Sequence, residues 1–152
     1  MRFQTVEQII DWTADFHGRL SELFQTASGA QHRERLSMLL QYVADHEQHL
    51  RDSLKNFELD GADRLLATWF DHAPEAELPS VPENLNALLE AGDIDKIVEC
   101  VIDFHDRMIK TYSNLRNQAN NDSIGTLFDR LADLEHHEKI TLVRNAQQVN
   151  DL

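Results

Sequence analysis

The sequence predicts an all-α protein, a four-helix bundle made of two similar antiparallel helical hairpins joined by a long crossover. Three observations carry that expectation. Only 5 Gly and 3 Pro punctuate 152 residues, too few for the turns of a many-stranded β fold. Apolar residues recur at helical spacing through four long segments. The second pair of segments repeats the first at a single offset of 88 positions.

The first helix opens at Thr5, where Gln8 three positions on completes a capping-box pattern that satisfies free backbone N–H groups. Val6, Ile9, Ile10, Phe16, Leu20 and Phe24 carry its apolar face, and Ser28-Gly29 marks its expected break. The second helix spans about 31 to 58 on Leu36, Leu39, Leu40, Val43, Leu50, Leu54 and Phe57. The short loop between the two makes them antiparallel neighbours.

Residues 59 to 92 read as the crossover. Gly61, Pro74, Pro79, Pro82 and Gly92 interrupt short apolar bursts, Leu65 to Phe70 and Leu85 to Leu89, which fit one or two short helices. A long helix covers roughly 40 Å at 1.5 Å per residue, and a crossover of this length can travel back along it. A third long helix follows the cap Asp93 and runs through Ile94, Ile97, Val98, Val101, Phe104, Met108 and Tyr112 to about Gln118. The fourth starts near Asp122 or Ser123 and carries Ile124, Leu127, Phe128, Leu131, Leu134, Leu142 and Val149. The whole is expected to form one domain, 1–152, with hairpins at about 5–58 and 93–149.

Composition narrows the classes of function. The formal charge of −13 repels phosphate backbones and anionic lipid surfaces, so neither nucleic acid nor membrane is an expected partner. A lone cysteine, Cys100, excludes an intrachain disulfide and any CxxC zinc site, in keeping with a reducing compartment. No apolar run approaches a membrane span and the opening residues lack a signal-peptide pattern, so a cytoplasmic location is expected. A homodimer is the expected assembly from the general frequency of twofold oligomers. No Gly-rich phosphate loop or local nucleophile signature is present, and the sequence names no small-molecule substrate or catalytic residue.

The repeat locates the interesting chemistry. Asp15-Phe16-His17-Gly18-Arg19-Leu20 matches Asp103-Phe104-His105-Asp106-Arg107-Met108, and Ala44-Asp45-His46-Glu47-Gln48-His49 matches Ala132-Asp133-Leu134-Glu135-His136-His137, both 88 positions apart. Shared apolar periodicity is expected of any amphipathic helices, but shared Asp, His, Arg and Glu identities at one offset indicate a duplicated hairpin.

Counting about 100° per residue from Leu36, the residues Leu40, Val43, Leu50 and Leu54 fall within about 40° of it, and Glu47 falls at about 20°. The same count from Ile124 puts Glu135 near 20° and Glu138 near −40°. Counted from Val6, His17 lands near 20°, and His105 follows by the repeat. Every long helix therefore directs His17, Glu47, His105, Glu135 or Glu138 at the core. Buried ionisable groups need compensation. Carboxylates and imidazoles on facing helices bind iron or manganese in bundle proteins; the alternative is a set of buried His–Glu hydrogen bonds.

This pattern resembles the ferritin-like superfamily, its rubrerythrin-type branch in particular, across all four long helices. The resemblance implies a Glu from the first and third helices and a Glu-x-x-His from the second and fourth. Glu47 and Glu135 match the motif Glu; Leu50 and Glu138 stand where the motif has His, and His17 and His105 where the family has carboxylates. The resemblance implies one or two iron or manganese ions held by some of His17, Glu47, His105, Glu135 and Glu138, and oxygen or peroxide redox chemistry if the protein is an enzyme. The hemerythrin pattern fails on spacing, since Ser21, Leu50, Ile109 and Thr141 follow His17, His46, His105 and His137 by four residues. His46, His49, His136 and His137 read as surface or oligomer-contact residues, the alternative being one-turn pairs Asp45–His49 and Asp133–His137; of the four only His46 lies near the edge of the apolar stripe. Arg19 and Arg107 are expected in salt bridges and Tyr112 in the core. Trp69 and Phe70 are placed to cover one side of the bundle or meet another subunit.

Overall fold

Capping and apolar periodicity set the helices. In the computed structural model, which describes residues 5–59, 80–81, 83–119 and 122–150, α1 spans Val6–Ala30, α2 Glu34–Leu59, α3 Leu85–Ala91, α4 Ile94–Gln118 and α5 Asp122–Asn150. Thr5 is the N-cap of α1, its hydroxyl accepting from the Gln8 N–H, and Asp93 caps α4 by accepting from the Lys96 N–H. Each cap satisfies one of the donors that a helix start leaves open. Gly92 ends α3 in the left-handed region, φ 68°, with its N–H donating to the Leu88 carbonyl. A Cβ there would strain the backbone and meet the Arg33 guanidinium and Leu36.

Helix α1 runs through the expected Ser28-Gly29 break and stops at Ala30. Ser28 is buried rather than solvated, its hydroxyl bonding Ser37 across the hairpin. The Gly29 surroundings are open, so nothing opposes continuation. Helix α2 accordingly begins at Glu34, a few residues later than the expected start.

Cross-links fix the direction of each pair. Asp11–Lys55, His17–Glu47, Ser21–Ala44 and Ser28–Ser37 run oppositely along α1 and α2. In the second hairpin His105–Glu135, Asp106–Lys139 and Arg116–Asp129 do the same along α4 and α5. The hairpins meet through α2 against α5 and through Phe16 edge-on to Phe104, with ring centroids 6.0 Å apart. One apolar core runs through all four long helices, including Ile9, Ile10, Leu20, Leu39, Leu40, Val43, Val101, Met108, Tyr112, Phe128 and Leu131. Each such side chain contributes roughly 1.5–3 kcal/mol by leaving water.

Ile94, Val98 and Leu134 are only partly buried, at the margins of the apolar stripes. The Phe57 side chain and the expected crossover features Leu65 to Phe70, Pro74, Pro79 and Pro82 lie outside the described residues. Leu85 and Leu89 are the buried face of α3. Among the described residues no helix is long and apolar enough to cross a membrane.

Candidate metal centre

The duplicated hairpin brings four of the five inward-facing ionisable residues to one height. His17 sits midway along α1 and Glu47 midway along α2; His105 and Glu135 occupy the corresponding places on α4 and α5. All four are 1% exposed. Their side chains form a ring in which each carboxylate approaches both imidazoles. Glu47 Oε2 pairs with His17 Nδ1, and Glu47 Oε1 lies 3.0 Å from His105 Nε2. Glu135 Oε1 is 2.6 Å from His17 Nε2, and its Oε2 is 2.8 Å from His105 Nδ1. The imidazoles stack at an interplanar angle of 21° with centroids 6.0 Å apart.

One side of the ring is open. Glu47 Oε1 and His105 Nε2 are within ion-pair distance, yet neither makes an aligned hydrogen bond among the described residues. Close approach without alignment contributes Coulomb attraction but leaves a donor or acceptor unsatisfied, and such atoms in a core call for an explanation.

Charge and burial oppose each other at these groups. Burial disfavours the charged form of His17 most strongly, but Glu135 and Glu47 together outweigh it and raise its pKa to about 10. His105 follows the same logic, burial against the pull of Glu47 and Glu135, and is raised to about 9. Burial also works against ionised Glu47, and the two imidazoles reverse it, lowering the pKa to about 2. Glu135 is lowered likewise, with burial overcome chiefly by His17. With all four charged, the ring is neutral overall: two imidazolium ions hold two carboxylates.

Glu138 does not join the ring. It lies one turn along α5 from Glu135, its Oε2 3.0 Å from His46 Nδ1 and its Oε1 2.8 Å from His49 Nδ1. Asn145 Nδ2 stands 3.0 Å from His46 Nε2. This clamp between α2 and α5 belongs to one half of the repeat only, because Leu50 and Leu134 stand at the positions equivalent to Glu138 and His46. His49 is exposed, as its helical angle predicts, and His46 at the edge of the apolar stripe is mostly buried; their shared partner Glu138 is what the angles leave out. The usable signal was that Glu138 and His46 lie on the same side of their respective apolar stripes. Asp45 instead accepts from Gln41, and Arg107 pairs with Asp103 one turn away.

The repeat is also visible around the ring. The Arg51 stem lies over Gly18, where an added Cβ would come within 2.9 Å of Arg51 Cδ. At the equivalent pair, Lys139 reaches Asp106 at 2.6 Å. Tyr112 is fully buried, stacks on Phe128 and has no aligned hydroxyl partner among the described residues. Burial, its largest influence, pushes its pKa well up, with Glu135 adding to the shift. Thr13 is near enough to act weakly on it, but the Thr13 hydroxyl donates to the Ile10 carbonyl.

Two antiparallel hairpins pack around a central His–Glu set, and the likeness of the whole chain to a solved structure makes the fold ferritin-like. Among solved structures the chain is similar to a Thermotoga maritima protein described provisionally as a ferritin-like diiron-carboxylate protein. The TM-score is 0.61 at 14% identity, covering 97% of each chain. At that identity the likeness is one of fold. No family model and no curated protein matches the sequence.

The residues fit a metal only in part. Among the described residues no group of three His, Cys, Asp or Glu side chains is set as it stands to hold an ion, because the donors are turned on one another. The types are nevertheless suited to iron or manganese. Donors bound at about 2 Å to one cation stand roughly 3 Å apart, the separation of Glu47 Oε1 and His105 Nε2. The second motif position is filled by Leu50 in one half and by the clamped Glu138 in the other. The ring therefore suits a small site with few protein ligands better than the Glu and Glu-x-x-His pattern that the sequence resemblance implied.

Proposed function

We propose that this is a ferritin-like metal-binding protein, taking one or two iron or manganese ions at the His17–Glu47–His105–Glu135 ring in exchange for imidazole protons. The observation that carries the reading is the open side of the ring, where Glu47 Oε1 and His105 Nε2 are buried, 3.0 Å apart and without aligned partners. The connectivity supports it as well. Glu47 and Glu135 each present one oxygen to the His17 side and one to the His105 side, so both carboxylates would hold a bound ion together with the imidazoles.

Bound iron or manganese would supply oxygen or peroxide redox chemistry. The chain's own contribution is to hold two carboxylates and two imidazoles at one height, exclude water from them, and release the protons that His17 and His105 carry. Affinity rises with pH on this reading, since a ligand nitrogen must be deprotonated.

The closed part of the ring favours a second reading, in which the four charges compensate one another permanently and the bundle is a metal-free structural or interaction module. Metal analysis separates the two. Protein purified without a His tag is loaded anaerobically with Fe²⁺ or Mn²⁺, desalted, and compared with His17→Ala/Glu135→Ala and with the milder Glu135→Gln. The metal reading expects the parent to retain at least one equivalent more than either folded variant. Equal, substoichiometric metal in all three supports the metal-free reading.

A further inference from the structure

Outside the ring, α2 and α5 hold a second set of metal-ligand side chains, and the repeat does not account for it. Glu138 is 4% exposed, and both of its oxygens are occupied by imidazoles from positions three apart on α2, at 3.0 Å and 2.8 Å. Packing does not require two histidines on one carboxylate. Leu50 occupies the position equivalent to Glu138 and is fully buried in the core. The set also faces outward: the His49 side chain is 64% exposed and that of His46 16%, so a cation from solvent reaches it without passing through the bundle.

We propose that His46, His49 and Glu138 form a divalent-cation site separate from the ring, with Asn145 supporting His46 from behind. Two nitrogens and a carboxylate oxygen suit a borderline cation such as Zn²⁺. Donors about 2.0–2.1 Å from one such ion stand roughly 2.9–3.4 Å apart; each Glu138 oxygen already stands 3.0 Å or 2.8 Å from one of the nitrogens, within or just under that range. At present these atoms are hydrogen-bonded to one another, and among the described residues no group of three is arranged to hold an ion as it stands. Binding requires modest changes. Each imidazole binds through Nδ1 with its proton on Nε2, which frees the Nδ1 lone pair. The Asn145 amide turns over so that its oxygen accepts from His46 Nε2–H, as partners behind metal-bound histidines do. His49 has the solvent-exposed freedom to close the site.

The test measures Zn²⁺ alone by equilibrium dialysis against the full-length, tag-free protein, alongside visible spectra of the Co²⁺-loaded protein. His49→Ala removes an exposed side chain and keeps the fold; Asn145→Ala and Glu138→Gln probe the support and the carboxylate. A ring variant, Glu135→Gln, is measured in parallel. The proposal expects one Zn²⁺ equivalent that His49→Ala weakens by more than about tenfold and Asn145→Ala by about 10–100-fold, with altered Co²⁺ bands, while Glu135→Gln leaves that equivalent in place. A parent that binds this equivalent and no further metal at the ring, with Glu135→Gln indistinguishable from it, overturns the ring reading alone. Unchanged Zn²⁺ affinity and Co²⁺ spectrum in His49→Ala, or no Zn²⁺ bound by the parent, overturns this proposal alone.

Discussion

Replacing Glu135 by Gln in metal-free protein is the sharpest perturbation of the ring. The side chain keeps its shape and loses its charge. Glu135 touches His17 at 2.6 Å and His105 at 2.8 Å, and all four ring residues are 1% exposed, so no water takes over the lost compensation. The amide oxygen can still accept from one imidazole, but its NH₂ faces the other. Two imidazolium ions then share the single charge of Glu47. Breaking a buried ion pair from one side costs about 3–5 kcal/mol, out of a total of about 5–15 kcal/mol for a domain. At this chain length that lowers Tm by roughly 6–20 °C. Urea unfolding at pH 6, followed by circular dichroism after chelation, measures it. A loss below about 1 kcal/mol would refute the reasoning, because it would mean that the histidines are neutral or that Glu135 does not hold both of them.

The remaining predictions use other parts of the molecule. Raised His pKa values give stability that is complete below the unfolded value of 6.5 and is lost as pH rises through about 9 and 10. Lowered Glu47 gives stability that is complete above 4.5 and is lost as pH falls toward about 2. Urea midpoints of metal-free protein are thus expected to plateau between pH 4.5 and 6.5 and decline on both sides; a maximum near pH 9 would contradict the charged ring. Gly92→Ala forces a side chain into φ 68° against Arg33 and Leu36, and thermal unfolding should show a loss of about 1–2 kcal/mol. Asp93→Ala removes the α4 cap and should cost about 0.5–2 kcal/mol, near the low end because the cap bond is long at 3.3 Å.

The fold was legible because its determinants are local. Thr5 and Asp93 cap as their types predict, and the 3.6-residue spacing of residues such as Ile9, Leu40, Val101 and Leu131 marked the buried faces. The ring was legible through the 88-residue repeat, which named His17, Glu47, His105 and Glu135 without structural information. Their common height depended on hairpin register, which helical angles do not contain. Glu138 pointed inward by angle alone, but its partners come from a different helix, and the reach of His46 and His49 toward it is a matter of helix separation. Ser28-Gly29 misled for a related reason: a residue pair that breaks helices locally was retained by a cross-hairpin bond to Ser37.

The claim that the bundle centre takes a metal is tested most directly by anomalous diffraction from crystals of the tag-free protein soaked in Mn²⁺ at pH 8. The account predicts a peak about 2 Å from Glu47 Oε1 and from one nitrogen of His105, with the ring opened around it. A featureless centre, with the contacts of His17 and His105 to the two carboxylates unchanged at saturating Mn²⁺, would contradict it.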